Sequence, residues 1–252
     1  LLPETEGAQA ADHLIERGLR SAYVIVSSRD FAQRAAAAFK AELVARGGQI
    51  VTQASLPAGA INFTQIIAGM NIPATQPDTA IFISMRPEQA RLLLPQLRVA
   101  HVTLPVFGTS HIYGGTDDAG DDRDLEGVEF CDAPWLFDAQ PGLPPHAGIA
   151  ALLPAASGSA ARLFAFGMDA WNLVPYLGWL RDHPGSYLPG ATGQLAADQF
   201  GHVRRVLVWA KFTDGVARPL TGSLQLDTPS VAPPESGTAG DPPAPASSSG
   251  LH

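Results

Sequence analysis

Residues 190–220, GATGQLAADQFGHVRRVLVWAKFTDGVARPL, constrain the fold more than any other stretch, because a glycine-punctuated run of strands follows directly on a long apolar helix. Gly193 and Gly201 fall where a backbone without Cβ can turn through positive φ, and Asp214-Gly215 is a hairpin signal. Between these breaks Val206, Val208, Ala210 and Phe212 share one face and Leu207, Trp209 and Lys211 the other, the period of two that a strand imposes. The stretch is predicted to form three short antiparallel strands. Upstream, DLEGVEFCDAPWLFD over residues 124–138 reads as a strand followed by Pro134-Trp135, a stiff aromatic exit from a sheet edge. The helix before the meander, residues 158–182, is apolar nearly all round, which predicts burial on more than one side, with Pro175 kinking or dividing it.

The first half of the chain alternates helices with apolar strands, the pattern of an α/β fold whose mostly parallel sheet is covered on its faces. A helix is expected over residues 6–18, ended by Gly18, and a buried strand over 22–26. Ser27 and Asp30 have the spacing of a capping box for a helix in which Phe31, Ala35, Phe39 and Leu43 recur every fourth residue until Gly47-Gly48. Strands follow at 49–54, 79–84, 105–108 and around 128–130, and helices at 61–70 and from Pro87 to about residue 100. Residues 111–123 read as a polar loop rich in Gly and Asp, and 141–154 as a loop-rich connection. Residues 225–252 are predicted to be disordered: from Pro229 onward Pro, Ser, Gly and Ala dominate, with almost no large apolar side chain to offset the entropy of ordering.

Composition narrows the functional classes. With 252 residues, 46% of them hydrophobic, and a mean hydropathy of +0.07, the chain can bury one sizeable core or two smaller lobes. A net charge of −8, with 16 scattered basic residues, disfavours nucleic acid as a partner, since phosphate-tracking surfaces cluster Lys and Arg. Cys131 is the single cysteine, so no internal disulfide can form, and on a strand it reads as a small core hydrophobe. No run reaches the roughly 18–20 apolar residues of a membrane-spanning helix; the stretch 163–180 is interrupted by Asp169, Asn172 and Pro175. The chain opens at Leu1 without a basic n-region, which reads as a processed or trimmed piece.

Three motifs, DLEGVEFCDAPW, RLFAFGMDAW and GATGQL, in this order, resemble the penicillin-binding protein activator (LpoA, or LppC) family of bacterial lipoproteins, and the meander resembles the end of a type I periplasmic binding protein domain. The resemblance covers most of residues 1–220. It implies a type I periplasmic binding protein-like fold and a non-enzymatic periplasmic regulator. That regulator would bind a bifunctional penicillin-binding protein, stimulate peptidoglycan synthesis, and be tethered to the outer membrane through a lipidated cysteine upstream. In such folds the chain visits one lobe, crosses to the second and returns, and Leu1-Leu2-Pro3-Glu4 resembles the crossing. Residues 1–134 are then one α/β lobe and 135–224 the returning segments, with strands of the first lobe missing; alternatively the chain folds alone with a small first lobe.

In open α/β sheets ligands bind beyond the carboxyl ends of the strands, which nominates Ser27, Ser28 and Arg29, Ser84 and Arg86, and Gly108, Thr109 and Ser110 as lining a cleft. Hydroxyls, backbone N–H groups and a guanidinium suit a carboxylate or amide, with Arg29 or Arg86 able to grip it bidentately. Helix capping accounts for Ser27 and Asp30 equally well. A small-molecule receptor for an amino acid or amide is therefore the alternative to the regulator. Catalysis has little support: Gly108-Thr109-Ser110-His111-Ile112 has Ile where a nucleophile elbow needs its second Gly. The acidic run from Asp117 to Glu126 lacks EF-hand spacing, and the seven histidines form no HxxxH or HExxH motif, so neither metal nor cofactor is expected. Asp169 is expected to cap or pair within a buried helix, and the four tryptophans to lie in the core or at a lobe junction, an exposed one marking a protein interface. The loops at 111–123 and 141–154 are the expected docking surfaces, replaceable by Gly-Ser linkers at little cost in stability.

Overall fold

The computed structural model describes residues 1–198 and 200–220; the segment expected to be disordered, 225–252, lies outside them. Helix α1 (Pro3–Glu16) leads into β1 (Ser21–Ser27), α2 (Asp30–Ala45), β2 (Gln49–Leu56), α3 (Thr64–Met70), β3 (Thr79–Ser84), α4 (Pro87–Val99), β4 (Val106–Gly108) and β5 (Glu129–Asp132). After them come α5 (His146–Leu152), α6 (Ala161–Leu173), α7 (Leu177–Asp182), β6 (Leu188–Gly190), β7 (Gly193–Ala197), β8 (Val203–Val206), β9 (Val208–Thr213) and β10 (Val216–Pro219). The main sheet runs β10-β9-β5-β4-β3-β1-β2, with β1 to β5 parallel and β9 and β10 antiparallel to their neighbours. A separate antiparallel sheet holds β6, β7 and β8.

Alternation along each strand sends side chains to opposite faces of the sheet. Val24, Val26, Phe82 and Phe107 pack under α1 and α2, where Phe39 stacks on Phe82 at 4.1 Å. Ile25, Ile81, Ile83, Phe130 and Phe212 pack under α3, α4 and the later segment, against Leu93, Leu97 and Trp135. The two covering helices approach closely because residue 7 is glycine: a Cβ there would lie 2.1 Å from the Ala35 carbonyl oxygen.

Several expectations change. Ser27 and Asp30 do not form a capping box. Helix α2 begins at Asp30 with Arg29 in the cap position and no side-chain cap; the buried Ser27 accepts the Arg29 N–H on Oγ at 3.4 Å and bonds Gln33 Nε2 through its carbonyl at 2.7 Å. Asp30 instead complements the positive end of the helix dipole. Strand β5 is interior, flanked by β4 and β9, so Pro134-Trp135 leaves from inside the sheet and not from an edge.

The single meander also divides. Gln9 of α1 takes the Leu207 N–H on Oε1 at 2.9 Å and donates Nε2 to the Arg205 carbonyl at 2.7 Å, so a side-chain amide stands where a strand partner would. Residues up to Val206 stay in the small sheet, and β9 and β10 join the main one, turning through Asp214 and Gly215 at φ 55° and 74°. From Leu207 on the predicted alternation holds: Leu207 and Trp209 face α1 and α2, Ala210 and Phe212 the opposite side.

Pro175 divides the long helix, with a short 3-10 turn (Val174–Tyr176) between α6 and α7. Burial on more than one side is not found. Ala161, Ala165, Asp169 and Leu173 face inward at a spacing of four, while Leu163, Phe166, Trp171 and Val174 are exposed.

Candidate functional site

The residues predicted to line a cleft do not act together. The Ser84 and Thr109 hydroxyls are wholly buried and bonded to each other at 3.0 Å, and Ser27 is buried in its turn. Ser28 accepts the Ala58 N–H on Oγ at 3.2 Å. Arg29 and Arg86 are exposed and line a cavity of about 210 Å3 beside the loop of Ala58 to Ile61. Arg86 and Ser110 also line a second, more polar cavity of about 430 Å3 with Glu6, Glu88, His111, Tyr113 and Arg162.

Ser110 shows why the donor set is already used. Its backbone N–H and its Oγ both donate to the carboxylate of Glu6, at 2.7 and 2.9 Å, and that carboxylate is fully buried. The chain's own acid thus occupies the donors that Ser110 would offer a ligand. Helix α1 places it there: Glu6 precedes Ala10 by one turn and Leu14 by two, on the buried face.

Behind Ser110 lies Arg162 of α6. Its Nε and Nη2 donate to Asp132 Oδ1 and Oδ2 at 2.8 and 2.5 Å, and Nη2 also reaches the carbonyls of Ser110 and Tyr113 at 2.9 and 3.0 Å. Burial raises the Asp132 carboxyl above its ordinary value against the pull of Arg162, and burial of the guanidinium is outweighed by Asp132, which holds Arg162 charged. Burial likewise lifts the Cys131 thiol far above its usual range, so it remains a protonated core group.

A second network joins the same segments. Asp169 accepts the Ala191 N–H at 2.6 Å, the Thr192 N–H at 2.8 Å and the Thr192 hydroxyl; that hydroxyl accepts Arg205 Nε at 2.9 Å. Trp135 donates its backbone N–H to the Ala191 carbonyl at 3.2 Å and its indole Nε1 to the Pro144 carbonyl at 2.8 Å. Residues of DAPW, RLFAFGMDAW and GATGQL therefore meet in one buried junction, with Asp169 as the pairing carboxylate expected of it.

The two loops expected to dock a partner are tied into the fold. In 111–123, Tyr113 donates its hydroxyl to Asp117 at 3.1 Å, and the buried Asp122 takes Arg91 Nε and Nη2 at 3.0 and 2.8 Å. In 141–154, His146 bonds the Asp138 carboxylate through its N–H at 2.7 Å and the Ala156 carbonyl through Nε2 at 2.8 Å, and α5 occupies most of the segment. Glu6, Asp132, His111 and Arg162 are the site residues that sequence reasoning missed. Among the described residues no group of three or more His, Cys, Asp and Glu converges to hold a metal ion, and no helix is long and apolar enough to cross a membrane.

Known proteins share both the motifs and this architecture. The Erwinia tasmaniensis protein named penicillin-binding protein activator LpoA is 29% identical over 262 residues, covering 88% of this chain and 38% of the relative. The chain thus spans about two fifths of the length of the curated relatives it matches. The Haemophilus influenzae LpoA C-domain, described as a regulator of PBP1A, superposes with a TM-score of 0.71 at 24% identity, covering 87% of this chain and 67% of that one. A putative branched-chain amino acid ABC transporter protein from Rhodospirillum rubrum superposes with a TM-score of 0.71 at 25% identity, covering 86% and 65%. The fold is accordingly that of the type I periplasmic binding proteins. The LppC putative lipoprotein family matches residues 1–215, and the chain belongs to that family.

Proposed function

We propose that this chain is part of a non-enzymatic periplasmic activator that binds a bifunctional penicillin-binding protein and stimulates peptidoglycan synthesis, held at the outer membrane by a lipidated cysteine upstream. The observation that carries this reading is the family match along residues 1–215, to relatives named as activators of that enzyme class. Activation of this kind is differential binding. A partner shifts a synthase toward its active state only by contacting that state more favourably, so the activating residues belong on an outer surface.

Residues 1–134 are proposed as one lobe and 135–224 as returning segments, with β9 and β10 rejoining the main sheet and the remainder completed by elements outside this chain. Two facts support this: the chain spans 67% of the C-domain it superposes on, and the outer face of α6 leaves Leu163, Phe166 and Val174 uncovered.

The test is label-free equilibrium binding of the folded chain to a bifunctional synthase, with a transport-type binding protein as control. Saturable binding to the chain alone is expected; equal response from the control rejects the reading. A second reading, a receptor for a small amino acid or amide, is favoured by one observation, the polar cavity between Arg86 and Arg162.

A further inference from the structure

Three basic side chains from three separate elements open onto the cavity of about 430 Å3: Arg86 before α4, His111 in the 3-10 turn after β4, and Arg162 in α6. Each keeps donor capacity that the described residues do not use. The Arg86 guanidinium makes no hydrogen bond and stands with Cζ 5.6 Å from the centre of the Phe31 ring. Arg162 commits Nε and Nη2 to Asp132, Ser110 and Tyr113 and leaves Nη1 unpaired. His111 stacks on Phe31 at 4.2 Å with its Nδ1 3.8 Å from Glu6 Oε2 and without a hydrogen-bond partner.

Acids balance these cations and define what the cavity accepts. Glu6 and Asp132 are wholly buried behind the wall, and Glu88 is exposed on the rim. Two guanidinium charges thus face three carboxylates. Such a wall disfavours a dianion, whose second charge would meet uncompensated acids, and favours a ligand that brings both signs. We propose that this cavity binds a small zwitterion, a free amino acid or a dipeptide, with its carboxylate on Arg86 and Arg162 Nη1 and its ammonium toward Glu88. The volume lies in the range of small-molecule sites. This gives the receptor reading, on which it rests, a site and a ligand class; the test uses this chain alone, so its outcome is separate from that of the synthase experiment.

Titration calorimetry of the full chain tests it, with the twenty standard amino acids and alanyl-alanine as probes and acetate, methylammonium and inorganic phosphate as controls. At least one zwitterion is expected to bind saturably, with none of the controls displacing it at equal concentration. Arg86→Ala is expected to weaken that binding about tenfold, as the loss of one charge-assisted contact does, and Glu88→Gln to weaken it less. Both side chains are exposed, so the melting temperature is expected to stay at the parent value. No zwitterion bound at about 10 mM rejects the receptor reading and the proposal together. Binding that is unchanged in both variants rejects this site while leaving a receptor standing, and displacement by phosphate rejects the ligand class.

Discussion

The carboxylate of Asp169 accepts both the backbone N–H and the hydroxyl of Thr192, 23 residues further along the chain. With the Ala191 N–H at 2.6 Å it satisfies three buried donors of the tight turn between β6 and β7. A local motif in a helix thereby fixes the start of a sheet. The fit is close: a Cβ at Gly190 would lie 2.8 Å from Asp169 Oδ1 and 2.5 Å from Leu195 Cδ1.

Asp169→Ala removes the acceptor and leaves those donors buried without partners. A loss of about 2–4 kcal/mol is expected, read as a lower urea midpoint at unchanged m-value. Asp169→Asn keeps one acceptor oxygen and is expected to fall between the two. A parent-like midpoint for the alanine variant would show that the turn finds other acceptors.

Arg162→Ala strands the buried Asp132 carboxylate and is expected to cost about 3–5 kcal/mol. The variant Arg162→Met combined with Asp132→Asn removes both charges and is expected to be more stable than Arg162→Met alone. Denaturant unfolding of the full double-mutant cycle measures the coupling; additive effects would argue that the pair does not act as a unit.

Glu129 gives the chain an acid-sensitive element. Burial pushes its carboxyl up, but the His13 hydrogen bond and the charges of Arg17, His13 and Lys211 outweigh burial and hold it below the ordinary 4.5. Because the folded value is the lower one, the contribution to stability is complete above the unfolded carboxylate value and is lost as pH falls through the folded value. Thermal melts below about pH 5 are expected to show a steeper loss for the parent chain than for Glu129→Gln. Parallel curves would remove Glu129 from the account.

Trp171 is 81% exposed and Trp135 is 1% exposed. Trp171→Ser is therefore expected to change stability by no more than about 0.5 kcal/mol and to remove most of the acrylamide-accessible fluorescence. Trp135→Ala, which empties the buried junction, is expected to cost about 3–5 kcal/mol. Retention of the accessible fluorescence in Trp171→Ser would mean that α6 is covered in solution.

Much of the fold was legible because its signals are local. The strand at residues 79–84 matches β3, and the four-residue recurrence of Phe31, Ala35, Phe39 and Leu43 marks the face of α2 turned to the sheet, where Ala35, Phe39 and Leu43 are fully buried. Gly193, Gly201 and Gly215 all take positive φ, as their positions between apolar runs implied. The candidate site was much less legible. Ser84, Thr109 and Ser110 were placed at the right end of the sheet, but their partners are set by tertiary packing: Ser110 meets Glu6 across a separation of 104 residues.

Amphipathic period, turn chemistry and motif spacing determined the α/β alternation, the division at Pro175 and the family resemblance, because each depends on residues within a turn or two of one another. Tertiary structure decided the rest. Gln9 splits the meander between two sheets because its amide replaces a strand partner at Leu207. Glu6 takes the Ser110 donors because packing of α1 on α2 carries it to the end of β4. An apolar side chain such as Trp171 carries no local mark of which side of its helix will be covered; only the placement of neighbouring elements settles that, since burial is a property of the assembled surface.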